Sequence, residues 1–267
     1  QIDAQGALEI SAQRLDNRAG RLVANGGLQL TATALDNQAG TLSSGGTTSL
    51  ELSAGLDNRQ GQLASTGALV IRAGGALDNR GGTLASQAGL SLTSASLDNS
   101  TQGTLAASGA LGLSSGGHLS NAGDGLIYSR NGRIDLDAAS LDNQGGTIQG
   151  QAGLGVRLDG GLLNGGGTLL GSAGDVSVVA RDLDNRAGVL ASLSGWVRAR
   201  LGGWLRNEGA STALAGLIQG RQLELNASGN LGNAHGRIEA WGGDASLAAA
   251  DVDNQAGTLY AQGALTL

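Results

Sequence analysis

The tripeptide Leu-Asp-Asn returns seven times, at Leu15, Leu35, Leu56, Leu77, Leu97, Leu141 and Leu183. Degenerate copies fill the gaps: Leu119-Ser120-Asn121, Leu162-Leu163-Asn164, Leu205-Arg206-Asn207, Leu231-Gly232-Asn233 and Val252-Asp253-Asn254. The Asn of each copy, Asn17, Asn37, Asn58, Asn79, Asn99, Asn121, Asn143, Asn164, Asn185, Asn207, Asn233 and Asn254, follows its predecessor by 20–22 residues, with one interval of 26 before Asn233. A period of this length demands a repeat architecture, in which each unit buries its apolar face on its neighbours. The sequence reads as a single array over residues 1–267, with irregular coils near 121–133 and 195–230.

Within a unit, apolar and polar residues alternate, as in Leu28-Gln29-Leu30-Thr31-Ala32. That is the strand period of two; no stretch carries the 3.6 period of a helix. Gly follows Asn by three residues in nine of the twelve units, and Leu or Ile commonly comes two residues later. Gly and Asn punctuate every four to seven residues, where tight turns need a positive φ. Each unit is therefore three short strands and three turns. A coil of about 21 residues has no internal partners for its backbone N–H and C=O groups, so these pair with the coils above and below. The expected fold is all-β: a right-handed parallel β-helix of about twelve coils, its hand following the crossover preference. Inward Leu, Ile, Val and Ala fill a narrow lumen, which suits a chain with 2% aromatic residues.

Composition excludes several functions. There is no Cys, hence no disulfide and no thiolate metal site. Two His, His118 and His235, fall in turn regions about five coils apart and build no metal centre. Net charge is −6 and none of the 16 basic residues is Lys, so the basic footprint of a nucleic-acid binder is lacking. No apolar run approaches the ~18 residues of a membrane span. No signal-peptide pattern is present, so an export signal is expected outside this segment. Clustered carboxylates in a loop-walled cleft, as a polysaccharide-cleaving enzyme needs, are also lacking: the turns are short, and Asp135, Asp137 and Asp159 read as solvated charges. No catalytic residue, cofactor or metal is expected. An ice-binding face would need a regular Thr array, and only one interrupted Thr column exists.

Alternation turns Leu15 inward, Asp16 outward and Asn17 inward. An inward Asn at a turn tolerates the left-handed conformation and bonds its own backbone. Equivalent Asn side chains one coil apart can bond each other as a ladder. The twelve Asn are therefore candidate structural residues. Asp16, Asp36, Asp57, Asp78, Asp98, Asp142, Asp184 and Asp253 form an outward ridge, screened by Arg18, Arg59, Arg80 and Arg186. A Ca²⁺-binding ridge is the weaker alternative, since the G-G-x-G-x-D pattern of calcium β-rolls is absent. Trp196 and Trp204 occupy the phases of Asp175 and Asp182 and are expected to face outward near Arg198 and Arg200. Exposed Trp with Arg is a contact composition, so these four are the candidate partner surface; the alternative is that each indole lies flat on a neighbouring coil. Trp241 falls at a turn. The 26-residue interval places about five extra residues near Glu208–Leu214.

Leu35-Asp36-Asn37-Gln38-Ala39-Gly40-Thr41-Leu42 and its copies resemble the haemagglutinin repeat of the filamentous haemagglutinin family, over essentially the whole chain. The family comprises very large two-partner-secreted exoproteins of Gram-negative bacteria, including adhesins and contact-dependent growth inhibition effectors with a C-terminal toxin. The resemblance implies a right-handed parallel β-helix, export through an outer-membrane transporter partner, and a monomeric rod on the cell surface. It implies a shaft projecting a receptor-binding, adhesive or toxic tip, with a receptor or glycan on a neighbouring cell as further partner. The ends look cut from a longer array, and the parent protein is expected to be much longer.

Overall fold

The computed structural model describes residues 1–209, 211 and 214–267. It contains two compact units, Gln1–Gly132 and Arg133–Leu267. Each is a parallel β-solenoid, and among the described residues neither contains an α-helix.

In the first unit one strand series runs Ile2–Ala4, Arg21–Ala24, Thr41–Ser44, Gln62–Ser65, Thr83–Ser86, Thr104–Ala107 and Leu126–Ser129. Its members pair in parallel, with Leu22, Leu42, Leu63, Leu84, Leu105 and Ile127 in register. All six are buried. A second series supplies the remaining wall. In Leu8–Asp16, Leu28–Asp36 and Leu111–Ser120 the second and third strands of the coil run on as one. Elsewhere they separate, as in Leu69–Ala73 followed by Ala76–Asp78. Leu15, Leu35, Leu56, Leu77, Leu97 and Leu119 stack in this wall.

The second unit repeats the scheme. Ile148, Leu169, Leu190, Ile218 and Ile238 form one buried column. Leu141, Leu162, Leu183, Leu205 and Leu231 form another. The expected alternation is thus the observed one: identical phases stack, so each inward aliphatic contacts its own kind one coil away. That contact is available only when repeats keep register.

The turns differ from the sequence reading. The left-handed residue is not the Asn but the second residue after it: Ala19, Ala39, Gln60, Gly81, Thr101, Gly123, Gly145, Gly166, Ala187, His235 and Ala256 all have positive φ. Asn is instead held in the extended ladder, its N–H donating to the carbonyl of the next coil's Asp, as Asn79 does to Asp98 O at 2.7 Å. The following Gly is also misread by a φ argument. At Gly82, a Cβ would collide with Asn58 O and approach Asn79 Oδ1 to 2.8 Å. Glycine is required there because the backbone of the coil before presses on its Cα, not because of its φ.

The segment from Asn to this Gly absorbs insertions. Two residues separate them in most coils and three after Asn99 and Asn121, where Gln102 and Asp124 add a second left-handed residue. After Asn207 there are eight, and Gly216 takes the glycine place, crowded by Asn185 O and Asn207 Oδ1. The extra residues expected near Glu208–Leu214 fall here; Ala210, Thr212 and Ala213 among them lie outside the described residues. His118 lies within a strand rather than a turn.

Candidate functional site

The Asn side chains make one continuous row of amides within each unit. In the first, Nδ2 of Asn17, Asn37, Asn58, Asn79 and Asn99 donates to Oδ1 of the next Asn at 2.7 Å. In the second, Asn143, Asn164, Asn185, Asn207 and Asn233 do the same at 2.7–2.8 Å, ending on Asn254. Asn17 Nδ2 also reaches Thr41 O of the next coil, and each of the other Nδ2 donors reaches carbonyls both of its own turn and of the next coil, as Asn79 does to Gly82 O and Thr104 O, both at 3.2 Å. All amides point the same way along the column, which favours mutual polarisation.

The Asp ridge does more than face solvent. Each of the eight Asp accepts the backbone N–H two residues on: Asp16 from Arg18, Asp36 from Gln38, Asp57 from Arg59 and Asp78 from Arg80. Asp98, Asp142, Asp184 and Asp253 do so from Ser100, Gln144, Arg186 and Gln255. These are Asx turns, which satisfy an N–H that the Asn corner leaves without a ladder partner. Four Arg pair with the Asp of their own turn: Arg18, Arg59, Arg80 and Arg186 at 2.6 Å. The first three also reach the next coil's Asp at 3.5–3.6 Å. The Arg18 hydrogen bond holds Asp16 down to about 2. Arg59 likewise holds Asp57 below the usual carboxylate range.

Asp184 departs from the outward reading, being buried at 5% exposure. Its column neighbours are Leu163 and Arg206, where Asp57 and Asp78 have Asp on both sides. Burial pushes its pKa up, but bonds from the Arg186 side chain and backbone outweigh this and leave it lowered.

Trp196 and Trp204 are half-buried, and each has an Arg over its ring. Arg198 lies 4.2 Å above the Trp196 centroid and Arg206 4.5 Å above that of Trp204. Each Trp N–H of the backbone donates to the Asp one coil earlier, Trp196 to Asp175 at 2.9 Å and Trp204 to Asp182 at 3.0 Å. Arg198 also pairs with Asp175 at 2.7 Å and with Glu224 at 3.6 Å, and Arg200 shares Glu224 at 3.3 Å. Burial raises Asp175, and the Trp196 N–H and Arg198 together bring it below its ordinary value. The cations of the expected patch are thus committed to carboxylates of their own wall.

Trp204 stands apart from that network. It walls a groove of about 440 Å³ with Arg206, Glu208, Asn230, Asp251 and Asp253, to which Trp196, Arg198 and Arg200 contribute nothing. Glu208 was missed as a site residue by composition alone; the signal was Gly232, the only Gly at the Asp phase of the repeat. The Glu208 carboxylate lies over Gly232, where a Cβ would strike it. Among the described residues no group of three or more His, Cys, Asp or Glu is placed to hold a metal ion. No helix among them is long and apolar enough to cross a membrane.

Fold and side-chain ladders define a repeat-built parallel β-solenoid. The haemagglutinin repeat family matches residues 3–55, 51–81, 78–124, 130–172, 156–195, 200–235 and 219–267, and the chain belongs to that family. No curated protein and no solved structure matches the chain.

Proposed function

We propose that this chain is a shaft segment of a large exported surface protein, setting the distance between the cell and an adhesive, receptor-binding or toxic tip. The observation that carries the reading is the uninterrupted repeat, with seven family matches from residue 3 to residue 267. Regular stacking gives length without requiring any coil to have a chemistry of its own. Ion-paired ridges fit a surface that stays inert towards its neighbours: Arg14, Arg72, Arg157 and Arg237 pair with Asp36, Glu51, Asp137 and Glu239 as the ridge Arg do with Asp. Two-partner secretion through an outer-membrane transporter of a Gram-negative cell suits the absence of Cys, since nothing can be trapped by disulfides on the way. Either a contact-dependent growth inhibition effector or a filamentous adhesin uses such a shaft, and its role is non-enzymatic.

Excision of whole coils in the parent protein tests this. Removing residues 58–78 keeps phase, since Asn79 then takes the place of Asn58. Export and tip activity should persist, with reach shortened. Loss of tip activity with export and surface display intact would overturn the shaft reading.

A further inference from the structure

In an array, the repeat itself is the baseline, and a departure that serves nothing should fall anywhere. Three departures meet at one place in the second unit. Trp204 is the one Trp at a phase held by small residues in six coils (Ala34, Gly55, Ala76, Ser96, Ser140 and Gly161) and by Arg14, His118, Asp182, Asn230 and Asp251 in the others. Gly232 stands where other coils carry Asp, Ser, Leu or Arg. Glu208 opens the one long turn of the array and sends its carboxylate across Gly232. The equivalent place in the first unit is an internal control. There Ala34, Gly55 and Ala76 line an open depression of about 350 Å³ beside Asp residues tied up by Arg. In the second unit Trp204 builds a wall on this depression, and the groove becomes deeper and about 440 Å³.

We infer that the Trp204 groove is a binding site for a neutral pyranose, one sugar residue of a glycan, with Trp204 as its apolar wall and Asp251, Asn230 and Glu208 as hydroxyl partners. The inference is independent of the shaft reading, because a spacer works with or without it. Its chemistry follows from the lining. A pyranose presents a face of C–H groups, which an indole wall matches, and a rim of hydroxyls, which need acceptors and donors at fixed places. The side chains of Asn230 and Asp251 make no hydrogen bond or ion pair among the described residues, so they are available to a ligand. Asp253 is partly engaged by the Gln255 N–H. Arg206 covers one face of the Trp204 ring and restrains the indole, so the sugar's C–H groups meet the part of the ring that the guanidinium leaves uncovered and little freedom is lost on binding. Three carboxylates against one guanidinium leave the groove negative, which disfavours sialylated and sulfated sugars. The volume lies within the range of small-ligand sites and admits one or two sugar rings.

The test uses the 267-residue chain and the methyl glycosides of glucose, galactose and N-acetylglucosamine, each titrated to tens of millimolar. Tryptophan fluorescence and saturation-transfer NMR read binding. At least one glycoside should bind saturably. Asp251→Asn, at an exposed site, should weaken it at least fivefold, and Trp204→Ala should abolish it while the circular dichroism spectrum is kept. Trp196→Ala should leave it unchanged. No saturable response to any of the three, or a response that survives Trp204→Ala and Asp251→Asn, would overturn the inference. So would saturable binding of tetramethylammonium with none of the glycosides, which would make the groove a cation site.

Discussion

Replacing Asn79 by Asp changes one amide NH₂ for an oxygen and leaves shape intact, so it isolates the donor in the ladder. Asn79 is fully buried. Its Nδ2 serves three acceptors: Asn99 Oδ1 at 2.7 Å, Gly82 O and Thr104 O at 3.2 Å. An ionised Asp turns an oxygen towards all three. At roughly 1–3 kcal/mol for each buried group left without its partner, and with Gly82 O and Thr104 O retaining ladder bonds, the loss is about 4 kcal/mol at neutral pH. That is about three pKa units. The introduced carboxyl should titrate near pH 7 in the folded chain against ~4 unfolded. A raised folded pKa gives stability that is present below the unfolded value and lost as pH climbs through the folded one. The protonated acid regains one donor towards Asn99, so at pH 4.5 the deficit should shrink to about 1 kcal/mol. Urea midpoints at pH 4.5 and 7.5, followed by circular dichroism, read this without assuming two-state unfolding, which repeat arrays often violate. A deficit equal at both pH values, or none at pH 7.5, would refute the argument.

Gly82→Ala should cost about 3 kcal/mol or more by the same urea midpoints, because the added methyl meets Asn58 O; a near-neutral result would show that the turn can shift to make room. Asp78→Ala removes the Asx cap on the Arg80 N–H and should cost about 1 kcal/mol, where a merely solvated charge would cost nothing measurable. Acid should also act on the unmutated chain: Asp16, Asp57, Asp175 and Asp184 have lowered pKa values, so their contribution is present above pH ~4 and is lost as pH falls through the lowered values, towards about 2 for Asp16. Melting temperature should be flat from pH 7 to 5 and fall below pH 4; a rise on acidification would contradict these pairings.

The fold was legible because two periodicities agree. Alternation marks which side of the wall a residue takes, and the 21-residue repeat says that each residue meets its own kind. Leu22, Leu42 and Leu63 therefore stack as their phase requires. Turns obey neither periodicity. Ala19, Ala39 and Gln60 adopt the left-handed conformation although nothing in an Ala or Gln announces it. The Asp cap was equally hidden, since an outward Asp beside Arg reads as a surface charge until the N–H two residues on is seen to lack a ladder partner. The groove was the least legible part. Trp204, Asn230 and Asp251 share the phase before Leu205, Leu231 and Val252, but nothing in the repeat says that Glu208, from the long turn after Asn207, joins them. Trp196 drew attention by composition, yet its partner Arg198 is already claimed by Asp175.

The central claim is that the Asn side chains are locked amide to amide along each unit. Side-chain hydrogen exchange on Asn-labelled protein measures it directly, with exposed Asn25, bonded only to Gln5 Oε1, as internal reference. The Nδ2 protons of Asn37, Asn58, Asn79 and Asn99 should exchange roughly a thousandfold more slowly than those of Asn25, as expected for groups that open only with the surrounding coils. Exchange of the ladder amides as fast as that of Asn25 would contradict the account.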